Sequence, residues 1–237
     1  MKKSSSSLRP LKFQKSYLPH AEGSCLVSMG NTKVLCVATV ENKIPPHAEE
    51  KGTGWIHAEY AMLPRSGESR SPRKKTTQGG RVQEISRLVG RSLRAAVDLK
   101  KLFPYSIIVD CDVIRADGGT RTASINGGLI ALVQALKQMK AKGEIQAWPL
   151  KNFIGAVSVG VIKGKPVVDI CYAEDKDAET DLNVVMTESG DMIEVQGTAE
   201  KTPFSQKELL QMVRLAQKSI KRIIQAQKKI IGPLPQS

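Results

Sequence analysis

Two glycine pairs, each followed closely by an arginine, are the residues of this sequence best suited to chemistry. The stretch Ala116-Asp117-Gly118-Gly119-Thr120-Arg121-Thr122-Ala123-Ser124 lies between an apolar run of strand character and a segment of helical period. Paired glycines let a backbone approach a ligand closely, and a helix start offers unpaired N–H groups and the positive end of a dipole. Thr120, Arg121, Thr122 and Ser124 add further donors, so the place suits an anion. The plain alternative is a tight turn with Ser124 or Thr122 as the helix cap. Gln78-Gly79-Gly80-Arg81 repeats the pattern at the start of another helical segment. An arginine in a first turn opposes the helix dipole, a conflict that a bound anion resolves.

A third segment has the opposite sign. Glu174, Asp175, Asp177, Glu179 and Asp181 place five carboxylates within eight residues of an otherwise basic chain. Hard oxygen donors at this density suit Mg²⁺ or Mn²⁺, which bind through one or two carboxylates and keep water and phosphate oxygens, while the alternative is a solvated acidic loop. A calcium loop is excluded, because counting from Asp175 the sixth residue is Thr180 instead of glycine and the twelfth is Met186 instead of glutamate. Arg87, Arg91 and Arg94 recur at helical spacing opposite an apolar stripe, as either a salt-laced surface or a face turned to RNA or another subunit. No G-x-S-x-G elbow, H-E-x-x-H pair or phosphate-binding P-loop occurs, and the only histidines are His20, His47 and His57. The chemistry indicated is positioned phosphate with a metal and a polyanion, without a protein nucleophile.

The elements that must position these groups form a mixed α/β pattern. Cys25–Met29 and Lys33–Val40 read as strands joined through Gly30-Asn31, a hairpin signal. Similar hairpins are expected at Ala156–Ile162 with Pro166–Tyr172 around Lys163-Gly164, and at Asn183–Glu188 with Met192–Gln196 around Ser189-Gly190, and Ser106–Ile114 is a further strand. Helical period covers Val82–Leu102, Asn126–Lys142 and Lys207–Ile231, the last opened by the capping box Ser205-x-x-Glu208. Hairpins followed by a helix occur once in each half, which predicts two pseudo-equivalent halves around a shared core. Residues 1–7 read as a flexible basic and serine-rich tail, 8–231 as a single catalytic domain and 232–237 as a C-terminal tail.

Length and composition are consistent with this. At 237 residues, 41% hydrophobic and 25% charged, the chain can bury a core as one domain or two fused halves. Its net charge of +13 is concentrated in residues 1–15, 65–75 and 201–231, the footprint of a nucleic-acid partner, although a solvated Lys-rich helix would give a similar count. The four cysteines lack metal-binding spacing, and the N-terminus lacks the apolar stretch of a signal peptide, so a reduced, cytoplasmic protein without a membrane segment is expected.

At these residues the chain resembles the ribonuclease PH family, bacterial phosphorolytic 3′–5′ exoribonucleases. The matching blocks are His20–Ser24, Ala58-Glu59-Tyr60, Met62–Arg65, Gln78–Arg81, Ala116–Ser124, Ala178–Asp181 with Asn183–Thr187, and Glu194–Glu200, in family order from about Leu8 to Lys228. The resemblance implies the ribonuclease PH fold, two β-β-α-β-α-like halves, assembled as a homohexamer built from three dimers. It implies phosphate contacts on Arg81, Gly119, Thr120 and Arg121, and metal-proximal acids at Asp175 and Asp181. Arg65, Arg70 and Arg73 would form the loop that meets RNA and the neighbouring subunit. The implied activity is a tRNA nucleotidyltransferase that trims precursor 3′ ends with inorganic phosphate as co-substrate and releases nucleoside diphosphates. Ribosomal RNA is a second candidate substrate, reverse nucleotide addition is open to the same site, and Asp181 or a water on the metal is the source of a proton. The chain departs from the family at its N-terminus, where Met1–Leu8 lacks the usual M-R-x-D-G-R stretch, and at His57, where threonine is common.

Overall fold

The computed structural model describes residues 5–235, so the first four residues of the expected 1–7 tail and the last two of 232–237 lie outside the described residues. The elements run β1 (Leu11–Lys15), β2 (Gly23–Met29), β3 (Thr32–Glu41), α1 (Pro46–Glu49), β4 (Trp55–Met62), α2 (Arg73–Gln78), α3 (Gly80–Ala95), β5 (Ser106–Arg115) and α4 (Thr120–Ala141). After these come β6 (Ile154–Ile162), β7 (Lys165–Val168), α5 (Tyr172–Asp177), β8 (Thr180–Thr187), β9 (Met192–Ala199) and α6 (Gln206–Ile231). The first sheet has the order β1-β2-β3-β5-β4 and the second β7-β6-β8-β9. Pairing is antiparallel throughout, except that β4 runs parallel to β5.

The three hairpins form where Gly30, Lys163-Gly164 and Gly190 supply the positive φ that tight turns require. The architecture is mixed α/β, with one sheet and its helices in each half, as expected. The halves are only approximate repeats, since the first adds β1 and β4 and the second follows its short helix with a β-hairpin.

Helix α4 lies between the two sheets and is buried on nearly all sides, with Ile125, Leu129, Leu132, Val133 and Leu136 completely so. Small residues let it approach the first sheet: a Cβ at Gly127 would come within 2.8 Å of Val27 and Cys36 side-chain atoms. Buried Asn126 accepts from the Ala156 N–H and donates to the Ala156 carbonyl, each at 2.8 Å, so α4 is also hydrogen-bonded to β6. Burying a polar side chain is tolerated here because its amide is paired.

Three boundaries differ from the sequence reading by four residues or more. Helix α4 starts at Thr120, six residues before the expected Asn126, because Gly119 adopts φ +66 and turns the chain into the helix at once. Helix α3 ends at Ala95 instead of continuing to Leu102. Asp98 accepts from the Lys100 N–H and starts a separate 3₁₀ turn, Leu99–Leu102. The strand expected to reach Tyr172 stops at Val168, where Asp169 takes φ +54, and part of the acidic segment becomes α5. Within the expected N-terminal tail, Ser5 accepts a hydrogen bond from the Val168 N–H at 2.9 Å. Among the described residues no helix is long and apolar enough to cross a membrane.

Candidate active site

A cleft of about 840 Å³ opens between the halves and gathers Arg81, Gly118, Gly119, Thr120 and Arg121 from the first with Asp175 and Asp181 from the second. The start of helix α4 and the Arg81 side chain from the start of helix α3 supply its positive wall. Helices α3 and α4 both begin after a glycine, Gly79 and Gly119, with no side-chain cap and no acid in the first turn. The first-turn N–H groups of a helix have no intrahelical partner, and the dipole there is positive. Arg81 and Arg121 occupy the same place in the two helices, the second residue of each. Neither arginine is favoured by the dipole of its own helix, and both line the cleft.

Tyr60 of β4, which is buried, shares a 2.8 Å hydrogen bond with the Thr120 hydroxyl. Burial raises its pKa, and the Thr120 bond and the charges of Arg81 and Arg121 work against that rise. One phenol therefore senses both arginines, although they are far apart in the chain. The Arg121 side chain is only 13% exposed and donates to the Gln196 side-chain carbonyl and, at 3.5 Å, to Glu84. It is thus held between α3 and β9.

The negative wall comes from α5 and β8. Burial raises the pKa of Asp181, and the charge of Asp175, with that of Glu200, adds to the rise. Arg121 and a 3.2 Å hydrogen bond donated by the Asn183 amide oppose it. Two carboxylates beside a cationic wall, one of them with its charge disfavoured by the other, are a donor set that fits one hard divalent cation. Such a cation needs only one or two protein oxygens when water and phosphate supply the rest. Among the described residues no cluster of three or more His, Cys, Asp or Glu suited to a metal occurs.

Not every residue singled out in the sequence reaches the cleft. The Thr122 hydroxyl donates to the Gly119 carbonyl and the Ser124 hydroxyl to the Thr120 carbonyl, both at 2.9 Å, and both residues are buried within α4. Neither lines the cleft, although both were expected among the phosphate donors, because the early helix start engages their hydroxyls with backbone carbonyls one turn back. Arg65, Arg70 and Arg73 are exposed and do not line the cleft, whereas Ser66, Ser69 and Ser71 from the same loop do. Arg87 and Arg91 border a separate groove beside α3 with Glu84, Glu194 and Gln196, and Arg91 pairs with Glu194 at 3.0 Å. Arg94 stacks on Trp55 and donates to the Ile56 carbonyl, so it serves the fold.

Two contributors escaped the sequence reading as individual residues. Tyr60 had a signal, standing inside the block Ala58-Glu59-Tyr60. Ser158 had none, because it lies in the continuous buried run of β6, yet it lines the cleft and its hydroxyl has no hydrogen-bond partner among the described residues.

The chain matches known proteins in two ways. Residues 7–138 match the family described as “3′ exoribonuclease family, domain 1”, and residues 152–219 match “3′ exoribonuclease family, domain 2”. Among solved structures, rice (Oryza sativa) Rrp46 is 19% identical with a TM-score of 0.79, covering 97% of this chain and 98% of its own. A chain of an archaeal exosome core is 19% identical with a TM-score of 0.77, covering 95% of this chain and 89% of its own. At that identity the structural likeness is one of fold. The resemblance read from the sequence therefore holds for the family and does not single out its bacterial members.

Proposed function

Because the chain belongs to the 3′ exoribonuclease family, we propose that it shortens RNA from the 3′ end by phosphorolysis. The observation that carries this reading is the meeting of Arg81 and Arg121, each in the first turn of a helix without an acidic or capping side chain, across one cleft from Asp175 and Asp181. A hydrolytic nuclease would need no site for free phosphate and would leave two unfavourably placed arginines unexplained.

In the proposed reaction, inorganic phosphate sits against Arg81, Arg121, the Thr120 hydroxyl and the free N–H groups at the start of α4. One of its oxygens attacks the last internucleotide phosphorus, a P–O bond forms, and the bond from that phosphorus to the 3′ oxygen breaks. A nucleoside diphosphate leaves, and in overall balance the proton of hydrogen phosphate ends on the new 3′-hydroxyl. The arginines bind and orient the attacking ion and neutralise charge as it builds on the phosphoryl oxygens. Asp175 and Asp181 would hold Mg²⁺ or Mn²⁺, which would supply further neutralisation of the transferred phosphoryl group. The finer parts of the proposal follow from the family resemblance: precursor tRNA 3′ ends as substrate, with ribosomal RNA second, and a ring of six identical subunits in the cytoplasm.

A second reading is favoured by the likeness to Rrp46 and to an archaeal exosome core. In it the chain is an RNA-binding subunit of a mixed assembly with related chains and does not itself cleave. One experiment separates the readings: chromatography of the products from a 3′-extended tRNA incubated with and without phosphate. Nucleoside diphosphates formed only with phosphate support phosphorolysis, monophosphates formed without it mean hydrolysis, and RNA binding without products supports the subunit reading.

A further inference from the structure

We propose that Arg9 and Asp169, neither of which touches the cleft, are a positioning pair that sets the geometry of its anion site; this rests on the phosphate-binding reading above. Arg9 precedes β1 in the first half and Asp169 follows β7 in the second. Both are buried, and they form an ion pair at 2.6 Å, while the Arg9 N–H donates to the other Asp169 oxygen at 2.8 Å. Isolating two charges from water is costly, and a buried ion pair is weak grounds for stability by itself. The remaining guanidinium contacts indicate another use.

Arg9 also donates to the carbonyl oxygens of Asp117 and Gly118, the two residues that lead into the anion turn. The Gly118 carbonyl receives a second bond, at 2.6 Å, from the Thr32 hydroxyl, which in turn accepts from the Asp117 N–H. In a planar trans peptide the C=O and the following N–H point to opposite sides. Drawing the carbonyls of residues 117 and 118 toward Arg9 therefore turns the N–H groups of Gly118 and Gly119 away from it, and both glycines line the cleft. The turn rests directly on the guanidinium: a Cβ at Gly119 would lie 3.1 Å from an Arg9 nitrogen.

Asp169 anchors the other side. Its N–H donates to the Ser158 carbonyl at 2.6 Å, and a Cβ at Gly118 would come within 2.5 Å of the Ile170 carbonyl. Two residues later the Tyr172 N–H donates to the Asp117 carboxylate at 3.2 Å, where α5, the carrier of Asp175, begins. The pair thus joins the phosphate turn of one half to the acid-bearing segment of the other. Moving either by a fraction of an ångström would change how the two walls of the cleft face each other.

The test uses the full chain, inorganic phosphate as the probe, and two variants. Arg9→Lys keeps the charge and loses the planar fork. Arg9→Met combined with Asp169→Asn removes both charges together, and asparagine tolerates the left-handed backbone at residue 169. Phosphate affinity is measured by calorimetry, RNA affinity in phosphate-free buffer, and folding by thermal unfolding. The expected result is a phosphate Kd weakened by about 10- to 100-fold in both variants, the scale for misplacing a site from outside it, with RNA affinity unchanged. A purely structural pair would instead lower the melting temperature of folded variants and leave their phosphate Kd at the wild-type value, which would overturn the proposal. Should the double variant not fold, Arg9→Lys decides by the same criterion. Wild-type protein that binds RNA but no phosphate would overturn the underlying reading, and with it any role for the pair.

Discussion

Replacing Arg81 by alanine should move activity and stability in opposite directions. Arg81 is exposed, occupies the second position of α3, and forms no ion pair among the described residues. Its charge faces the positive end of the helix dipole, and no acid in that turn compensates it. Removing a charge so placed should stabilise the fold by about 0.3–1 kcal/mol at low salt. The same cation is half of the positive wall. Losing one preorganised donor to a developing phosphoryl charge costs about 10²–10³ in rate, or roughly 2.7–4 kcal/mol of transition-state stabilisation. The catalytic loss is therefore several times the stability gain and opposite in sign. Initial rates of phosphate-dependent nucleotide release from a 3′-extended tRNA, with thermal unfolding of the same samples, measure both. Near-normal phosphorolysis would refute the role of Arg81, and a melting temperature that falls together with the rate would show that Arg81 supports the fold instead.

Other consequences are as direct. Asp181→Asn should abolish most phosphorolysis and weaken Mg²⁺ binding, read as a higher half-saturating Mg²⁺ concentration for the residual activity; an unchanged Mg²⁺ titration would remove Asp181 from the metal site. Thr122→Ala and Ser124→Ala should leave the phosphate KM unchanged and cost no more than about 1–1.5 kcal/mol of stability, the net worth of one hydrogen bond, because both hydroxyls bond backward within α4. With excess nucleoside diphosphates, Mg²⁺ and little phosphate, a short RNA should be lengthened, and no extension at any phosphate ratio would count against a shared reversible site. Asp110 of β5 lies half-buried, and burial followed by the charges of Glu59 and Asp112 raises its pKa, with His57 opposing. A raised folded-state pKa gives stability that is present below the unfolded value and lost as pH rises through the folded one. Asp110→Asn should therefore be more stable than wild type near neutral pH, by at most about 1 kcal/mol given screening. The difference should vanish below the ordinary aspartate range, and equal unfolding curves at neutral pH would refute it.

Local signals carried much of the fold. The hairpin turns were legible because glycine at positive φ is a requirement of the turn itself, and the start of α6 because Ser205 and Glu208 cap one another within four residues. The cleft-lining turn at Gly118-Gly119 and the acids at Asp175 and Asp181 were visible for the same reason, as short runs of distinctive residue types. The start of α4 was not, since Thr120 to Ser124 have no apolar period. Their helical state depends on the left-handed Gly119, which is seated on an arginine far away in the chain.

The sequence by itself determined which side chains the protein can bring to an anion and a cation, and which turns and helices carry them, since these follow from nearest neighbours. Tertiary structure alone decided that Arg81, Arg121 and Asp181 share one cleft, that Thr122 and Ser124 do not, and that Arg9 and Asp169 underlie the site. Those outcomes depend on two sheets closing around α4, and contacts between residues as distant as Arg9 and Asp169 leave no periodic trace in a single chain.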